Sequence, residues 1–340
     1  MGGSGVLTLV RVSPDFPVRC HVVTGKGGTG KTTVAAALAL ALASEGRTVL
    51  LVECEGRQGI AQLFDTPPLP YEERRVAVTR GGGEVRALAI DVEEALLEYL
   101  EMFYNLRRAG RALRKMGAVD FATTIAPGLR DVLITGKVKE AVTRREDGRR
   151  VYDAVVVDAP PTGRITKFLN VTGEMSELTR SGPIKTQSDG VMAVLRSPQT
   201  AVHLVTLLED MPVQETADAI AELTEARLPV GSVIVNMASE PVLPEDALAR
   251  AVEGAVTGTD LAPGLAAAGL PADADLADAL AAEAVEHAQR WAAQDALRAR
   301  VESMGRPLAE LPLLPGPMDL GCLFELAGRL EDHLGAEVAA

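Results

Sequence analysis

The stretch GKGGTGKTT, residues 25–33, decides the fold. It fits G-x-x-x-x-G-K-[ST], with Gly25, Gly30, Lys31 and Thr32 in the required places. The short apolar run from Cys20 to Val23 before it reads as a strand. The Ala/Leu-rich TTVAAALALALASEG after it reads as a helix. Strand, glycine loop and helix in that order turn the pattern into a mechanism. Gly25, Gly27, Gly28 and Gly30, with Thr29 and Thr33, form a loop whose backbone N–H groups can turn inward around a phosphate. The helix N-terminus adds the positive end of its dipole. Lys31 would reach the β- and γ-phosphates, and the Thr32 hydroxyl would ligate Mg²⁺. A glycine turn that merely joins a strand to a helix would leave Lys31 and Thr32 unexplained.

Outward from this loop, Thr48 to Glu53 (TVLLVE) is a continuous apolar run, the pattern of a parallel strand buried on both faces. Glu53 and Glu55 follow at its carboxyl end, where α/β sheets place ligands. Either could orient water or help hold magnesium, and either could be a solvated loop acid. Residues 67–84 read as an irregular connection, 85–91 (VRALAID) as a strand, and the stretch from Val92 to Met116 as a long helix. The cluster Arg107, Arg108, Arg111, Arg114 and Lys115 could be an anion or nucleic-acid patch or, more simply, a solvated helix face. Residues 118–143 continue as helix, interrupted at Pro127-Gly128, and 145–150 (REDGRR) form a polar turn.

The second informative stretch is VYDAVVVDAPPTGRITKFL, residues 151–169. Ala154 to Val157 reads as a buried strand ending in Asp158, where a P-loop enzyme keeps an acid that holds Mg²⁺ directly or through water. The PPTG that follows reads as a switch loop near the γ-phosphate. Residues 201–207 and 231–236 are two further buried strands, with a helix between them beginning near Val213. Asn236 ends its strand at the nucleotide edge, where its amide could pair with a purine or cap a turn. Residues 244–305 are mostly helical, with a Pro/Gly/Asp break near 258–275. Residues 310–317 (ELPLLPGP) are a last short strand and turn, and an acidic amphipathic helix closes the chain.

Composition narrows the classes. The 340 residues can form one large α/β domain or two small ones. Net charge is −13, against a general nucleic-acid or anionic-membrane surface. The three cysteines, Cys20, Cys54 and Cys322, lie far apart in sequence with no CxxC, so neither a zinc site nor a disulfide framework is expected. No uncharged apolar run approaches the roughly 18 residues of a membrane span. Residues 1–18 read as a loose leader without the charged region of a signal peptide, and a reduced cytoplasm is expected. The expected architecture is α/β: a mostly parallel sheet with helices on both faces. Residues 19–335 would form one P-loop ATPase domain, with a helical cap inserted at about 92–145 and 165–200.

With these motifs placed, the chain resembles the arsenite-transporting ATPase (ArsA) and guided-entry tail-anchored targeting ATPase family. GKGGTGKT is similar to the "deviant" P-loop of that family, and DAPPTGRITKFL is similar to its DTAPTGHTLRFL. VRALAIDVEEALLEY (85–99), HLVTLLEDMPVQET (203–216) and SVIVN (232–236) agree as well. Among its members the chain is most similar to single-P-loop bacterial anion-transporting ATPases, some of which pair as heterodimers. The resemblance implies an ATP- and Mg²⁺-dependent dimer with nucleotides held at the interface and a membrane-associated cargo or transporter as client. By family position, Lys26 would reach the partner's nucleotide across that interface. Lys31, Thr32 and Asp158 take the family's roles in the site, and Asn236 would contact adenine. Pro312 and Pro315 look like the segment flanking the base. Glu55 falls where the family has its water-positioning aspartate, and Arg164 replaces the family's switch histidine, so hydrolysis is expected to be slow. A nucleotide-binding regulatory subunit paired with a paralogous ATPase is the alternative. Neither the family's metalloid cysteines nor its zinc-clamping CxxC has a counterpart.

Overall fold

The computed structural model describes residues 18–104, 128–170, 183–271 and 273–339. The leader before residue 18 and the basic cluster from Arg107 to Lys115 lie outside the described residues. The strand that leads into the glycine loop is β1 (Cys20–Gly25), buried along its whole length. It pairs in parallel with β7 (Ala154–Asp158) on one side and β8 (Thr200–Thr206) on the other. Beyond β7 lie β2 (Thr48–Glu53), β4 (Glu84–Ala89) and β3 (Arg74–Val78). Beyond β8 lie β9 (Val230–Ala238) and β10 (Leu308–Pro312). The order is β10-β9-β8-β1-β7-β2-β4-β3, parallel except for β3 against β4. The strip β5 (Arg145–Glu146) and β6 (Arg149–Arg150) forms a separate hairpin.

Both faces of the sheet are covered, as its near-continuous apolar strands require. Alternation along β1 sends Cys20 and Val22 to one core and Val23 to the other. On the Val23 face lie α1 (Lys31–Ala43), α2 (Gly59–Leu63) and α11 (Leu320–Ala339). Every residue of α1 from Val34 to Ala43 is buried, because α11 covers the side that the sheet does not. A helix apolar all round is stable only in such a sandwich, and its alanines allow close approach. The opposite face carries α3 (Val92–Tyr104), α4 (Leu129–Thr143), α5 (Thr162–Leu169), α6 (Pro183–Leu195) and α7 (Asp210–Glu225). Leu96, Val132, Phe168, Val191 and Leu223 from these five helices join Val22, Leu50 and Val155 in one core. Between β9 and β10 the chain makes α8 (Glu245–Val252), α9 (Gly258–Ala267) and α10 (Ala274–Glu302), which pack mainly on one another.

Three expectations change. The connection at 67–84 contains β3, an antiparallel edge strand joined to β4 through the glycine turn at 81–83. Strands and helices therefore do not alternate throughout. The intervening helix starts at Asp210, three residues before Val213. The break near 258–275 is shorter than its composition suggests: the Asp260 carboxylate accepts the Thr257 N–H and hydroxyl, at 2.9 and 2.7 Å, and starts α9 at Gly258.

Candidate functional site

The loop between β1 and α1 is shaped by what crowds it. A Cβ on Gly25 would lie 2.2 Å from the backbone oxygen of Val205 in β8. Gly30 has φ of 81°, and a Cβ there would lie 2.3 Å from Nδ2 of Asn236. Gly27 and Gly28 face open space instead, so the mouth of the loop is clear. The Thr29 hydroxyl donates to the Lys26 carbonyl at 2.9 Å, and Lys31 Nζ donates to the same oxygen at 3.4 Å. Thr33 completes the first turn of α1, half-buried.

Below the mouth, Thr32 Oγ1 donates to Asp158 Oδ2 at 2.8 Å. Burial pushes the Asp158 carboxyl up to about 6, against the pull of Thr32 and Lys31. Burial lowers Lys31, and Asp158 and Glu55 oppose that shift. A desolvated carboxylate beside a hydroxyl is a pair of hard oxygen donors, the kind Mg²⁺ takes. The residues therefore fit the ion: Thr32 and, directly or through water, Asp158 would hold it beside bound phosphates and waters.

Asn236 donates from Nδ2 to the Thr29 carbonyl at 2.9 Å. That acceptor fixes the amide's orientation and leaves Oδ1 as the group able to face a base. Next to it, Pro312 pairs with Ala238 at the end of β10, and the Leu313 N–H donates to the Ala238 carbonyl at 3.0 Å. Pro315 is exposed in the turn beyond. The two glutamates after β2 separate. The Glu53 carboxylate is buried and accepts the N–H groups of Gln58 and Ile60, which ties down its own loop. Glu55 remains partly exposed, 3.4 Å from Arg57. Arg164 lies 3.7 Å from the buried Asp131 at the start of α4. Burial raises the thiol of Cys20 to about 12 and that of Cys54 well above the usual range, so neither is a ready thiolate.

The structure thus gathers residues 25–33, Asp158 and Asn236 at the carboxyl ends of β1, β7 and β9. Two further residues bear on the same loop. Lys26 Nζ lies 2.8 Å from Glu215 Oε1 in α7, and Thr162 donates to the other oxygen of that carboxylate at 3.2 Å. In the sequence, VQET (213–216) marks only a helix. The signal available was the seven-residue spacing of Glu215 and Glu222, which puts two acids on one helix face.

The model of the anion-transporting ATPase family matches residues 18–195. The chain belongs to the anion-transporting ATPase (ArsA) family. The family assigns the sheet to the P-loop NTPase fold. ATPase BagA of Mycobacterium tuberculosis is 57% identical over 332 residues, 97% of this chain and 96% of that protein. An arsenical pump-driving ATPase of Acidiphilium multivorum is 28% identical over 260 residues, 67% of this chain and 41% of that one. The ATPase get3 of Schizosaccharomyces pombe is 26% identical over 262 residues, 67% and 76% of the two chains. These relatives are ATPases, and the chain is an ArsA-family ATPase on that ground.

Proposed function

We propose that the chain is a Mg²⁺-dependent ATPase that binds ATP in the loop of residues 25–33 and works as a dimer. The observation behind this reading is the 2.8 Å contact between Thr32 and Asp158 beneath Lys31, at the mouth left open by Gly27 and Gly28. Bound Mg²⁺ would offset phosphate charge. Lys31 binds and orients the β- and γ-phosphates, the loop N–H groups hold their oxygens, and Asn236 Oδ1 accepts from the exocyclic amine of adenine. An O6 at that place would be repelled, so ATP is preferred to GTP. Pro312 and Pro315 flank the base. Glu55 orients the attacking water, and its side chain, one methylene longer than an aspartate, makes turnover slow.

Residues 19–335 act as one ATPase domain, and of the helical cap expected at about 92–145 and 165–200 residues 105–127 and 171–182 lie outside the described residues. Nucleotide opens and closes the dimer because ATP favours the closed state. The dimer is of like chains or of this chain with a paralogous ATPase, and it serves a membrane protein or transporter from the cytoplasm. Among the described residues no helix is long and apolar enough to cross a membrane, so membrane contact through a partner suits this reading. Neither nucleic acid nor zinc enters it. A second reading, a regulatory subunit with little hydrolysis, is favoured by the engagement of Glu55 with Arg57.

The test is Mg-ATP turnover and binding by the purified chain over a range of protein concentrations. Specific activity should rise with concentration and fall at least tenfold in Lys26→Ala, in line with the loss of one phosphate-stabilising group. Lys31→Ala should abolish Mg-ATP binding, and unchanged binding would sink the proposal. Binding without turnover in the wild type selects the regulatory reading.

A further inference from the structure

We propose that Glu215 is a positioning residue that parks Lys26 beside α5, the switch helix that follows the Pro160-Pro161 turn, and must release it when Lys26 engages a nucleotide. This rests on the nucleotide site proposed above. Its basis is one carboxylate with two engagements. Oε1 takes the Lys26 ammonium at 2.8 Å, and Oε2 accepts from the Thr162 hydroxyl at 3.2 Å. Lys26 belongs to the phosphate loop, Thr162 is the first residue of α5 after the Pro160-Pro161 turn, and Glu215 sits on α7. The phosphate loop, α5 and α7 meet at this side chain.

The surroundings make this a latch of moderate strength. The lysine and glutamate side chains are 31% and 35% exposed, so water reaches the pair and it breaks at little cost. Thr162 is buried, and its loop is tied to β1 by the Thr24 hydroxyl, which donates to the Pro160 carbonyl at 2.7 Å. A second tie, Thr166 Oγ1 to Glu222 Oε2 at 3.1 Å, lies two turns along α7 and one turn along α5. Beside the apolar packing of Phe168 and Leu223, the α5–α7 contact thus carries two polar ties, and the one nearest the loop depends on Glu215.

The electrostatics set the competition. A phosphate and Glu215 are both anions seeking the one ammonium on Lys26. If the lysine turns to phosphate, Glu215 is left with a neutral hydroxyl, and the hold of α7 on the switch helix changes. The converse follows by linkage: a switch helix that pulls Thr162 away from Glu215 alters the hold on Lys26.

The experiment is a double-mutant cycle on the full chain, read by calorimetric binding of Mg-ATPγS at several protein concentrations. Wild type, Glu215→Gln, Lys26→Ala and the double variant are compared. Glu215→Gln should tighten binding about two- to fivefold, the range that loss of an exposed ion pair allows. The gain should vanish in the Lys26→Ala background. Glu215→Asp keeps the charge but shortens its reach, and should give a smaller gain at wild-type Tm, so a poorly folding Glu215→Gln does not end the test. A gain that persists without Lys26 overturns the latch, as does unchanged or weaker binding in both Glu215 variants. Lys31→Ala is run beside them: if it binds like wild type, the nucleotide site itself fails, which the cycle at Lys26 and Glu215 cannot mimic.

Discussion

The helices that flank the glycine loop and the helices inserted between β9 and β10 are built on opposite terms. α1 is buried from Val34 to Ala43 between the sheet and α11, with no polar face at all. The group α8–α10 has a small core of Leu248, Ala251 and Ala288, helped by the half-buried Trp291 and Leu243, and most of α9 is exposed. The first region is held by packing from two sides and tolerates almost no change of shape. The second is held by local bonds at helix ends, by its own small seam and, at the end of α10 alone, by Val301 packed with Val213, Val233 and Val235. Substitutions should therefore have large, site-linked effects near the loop and small, local ones in the insertion.

The largest effect is expected at Gly25. An alanine methyl there would meet the Val205 backbone oxygen at 2.2 Å, and backbone on a central strand cannot step aside as a side chain can. Gly25→Ala should lose Mg-ATP binding by at least a hundredfold and destabilise the chain by about 3 kcal/mol, the upper end of overpacking costs. Calorimetric binding and urea unfolding measure the two. Wild-type affinity in a stable Gly25→Ala chain would break the comparison, because the loop would then be as forgiving as the insertion.

A middle effect belongs at the edge of the sheet, where packing gives way to charge. Glu73 receives the Tyr152 hydroxyl and both terminal nitrogens of Arg144, which Glu140 also engages. Burial alone would raise the Glu73 carboxyl, but Arg144 and Tyr152 outweigh it and hold the group below its usual range. The folded value lies below the unfolded one, so the stability it contributes is present above the unfolded value, near 4.5. It is lost as pH falls through the folded value. Glu73→Gln should cost about 1–3 kcal/mol at pH 7 by leaving Arg144 partly unmatched. The gap between the two chains should begin to close as pH falls below about 4.5. A gap that stays constant below that pH would mean shape, not charge, is what Glu73 supplies.

The same contrast explains what was legible. Fully buried strands announced themselves: TVLLVE and AVVVD became β2 and β7 with the expected ends. The loop's motif placed its own neighbours, because only Gly fits against Val205 and the Asn236 amide. Edges and contacts between elements were harder to see. β3 begins with exposed Arg74 and Arg75 and shows only half an alternation, so it reads as connection until its pairing with β4 is known. Glu53 and Glu55 look equivalent in sequence, yet one is locked by Gln58 and Ile60 and the other faces the site region. Glu215 was hidden for a different reason: its role depends on two elements distant in sequence that meet only in the folded chain.

The smallest effect is expected in the insertion, at Thr257. Its hydroxyl and N–H both go to the Asp260 carboxylate, which also meets Arg250 at 3.0 Å. Those bonds hold the Asp260 carboxyl at about 2, with the Thr257 hydroxyl as the main cause. Thr257→Ala removes the hydroxyl but keeps the backbone N–H and Arg250 in place. The N-terminus of α9 should then open about three- to tenfold more often, the range for a lost cap. Hydrogen exchange at residues 258–267 reads this directly, because α9 packs mainly on α10 and can open without the sheet. Global Tm and Mg-ATP affinity should stay at their wild-type values. Loss of nucleotide affinity in Thr257→Ala would show that α8–α10 is coupled to the loop. Its thin core would then be a means of moving with the nucleotide site, not a sign of independence from it.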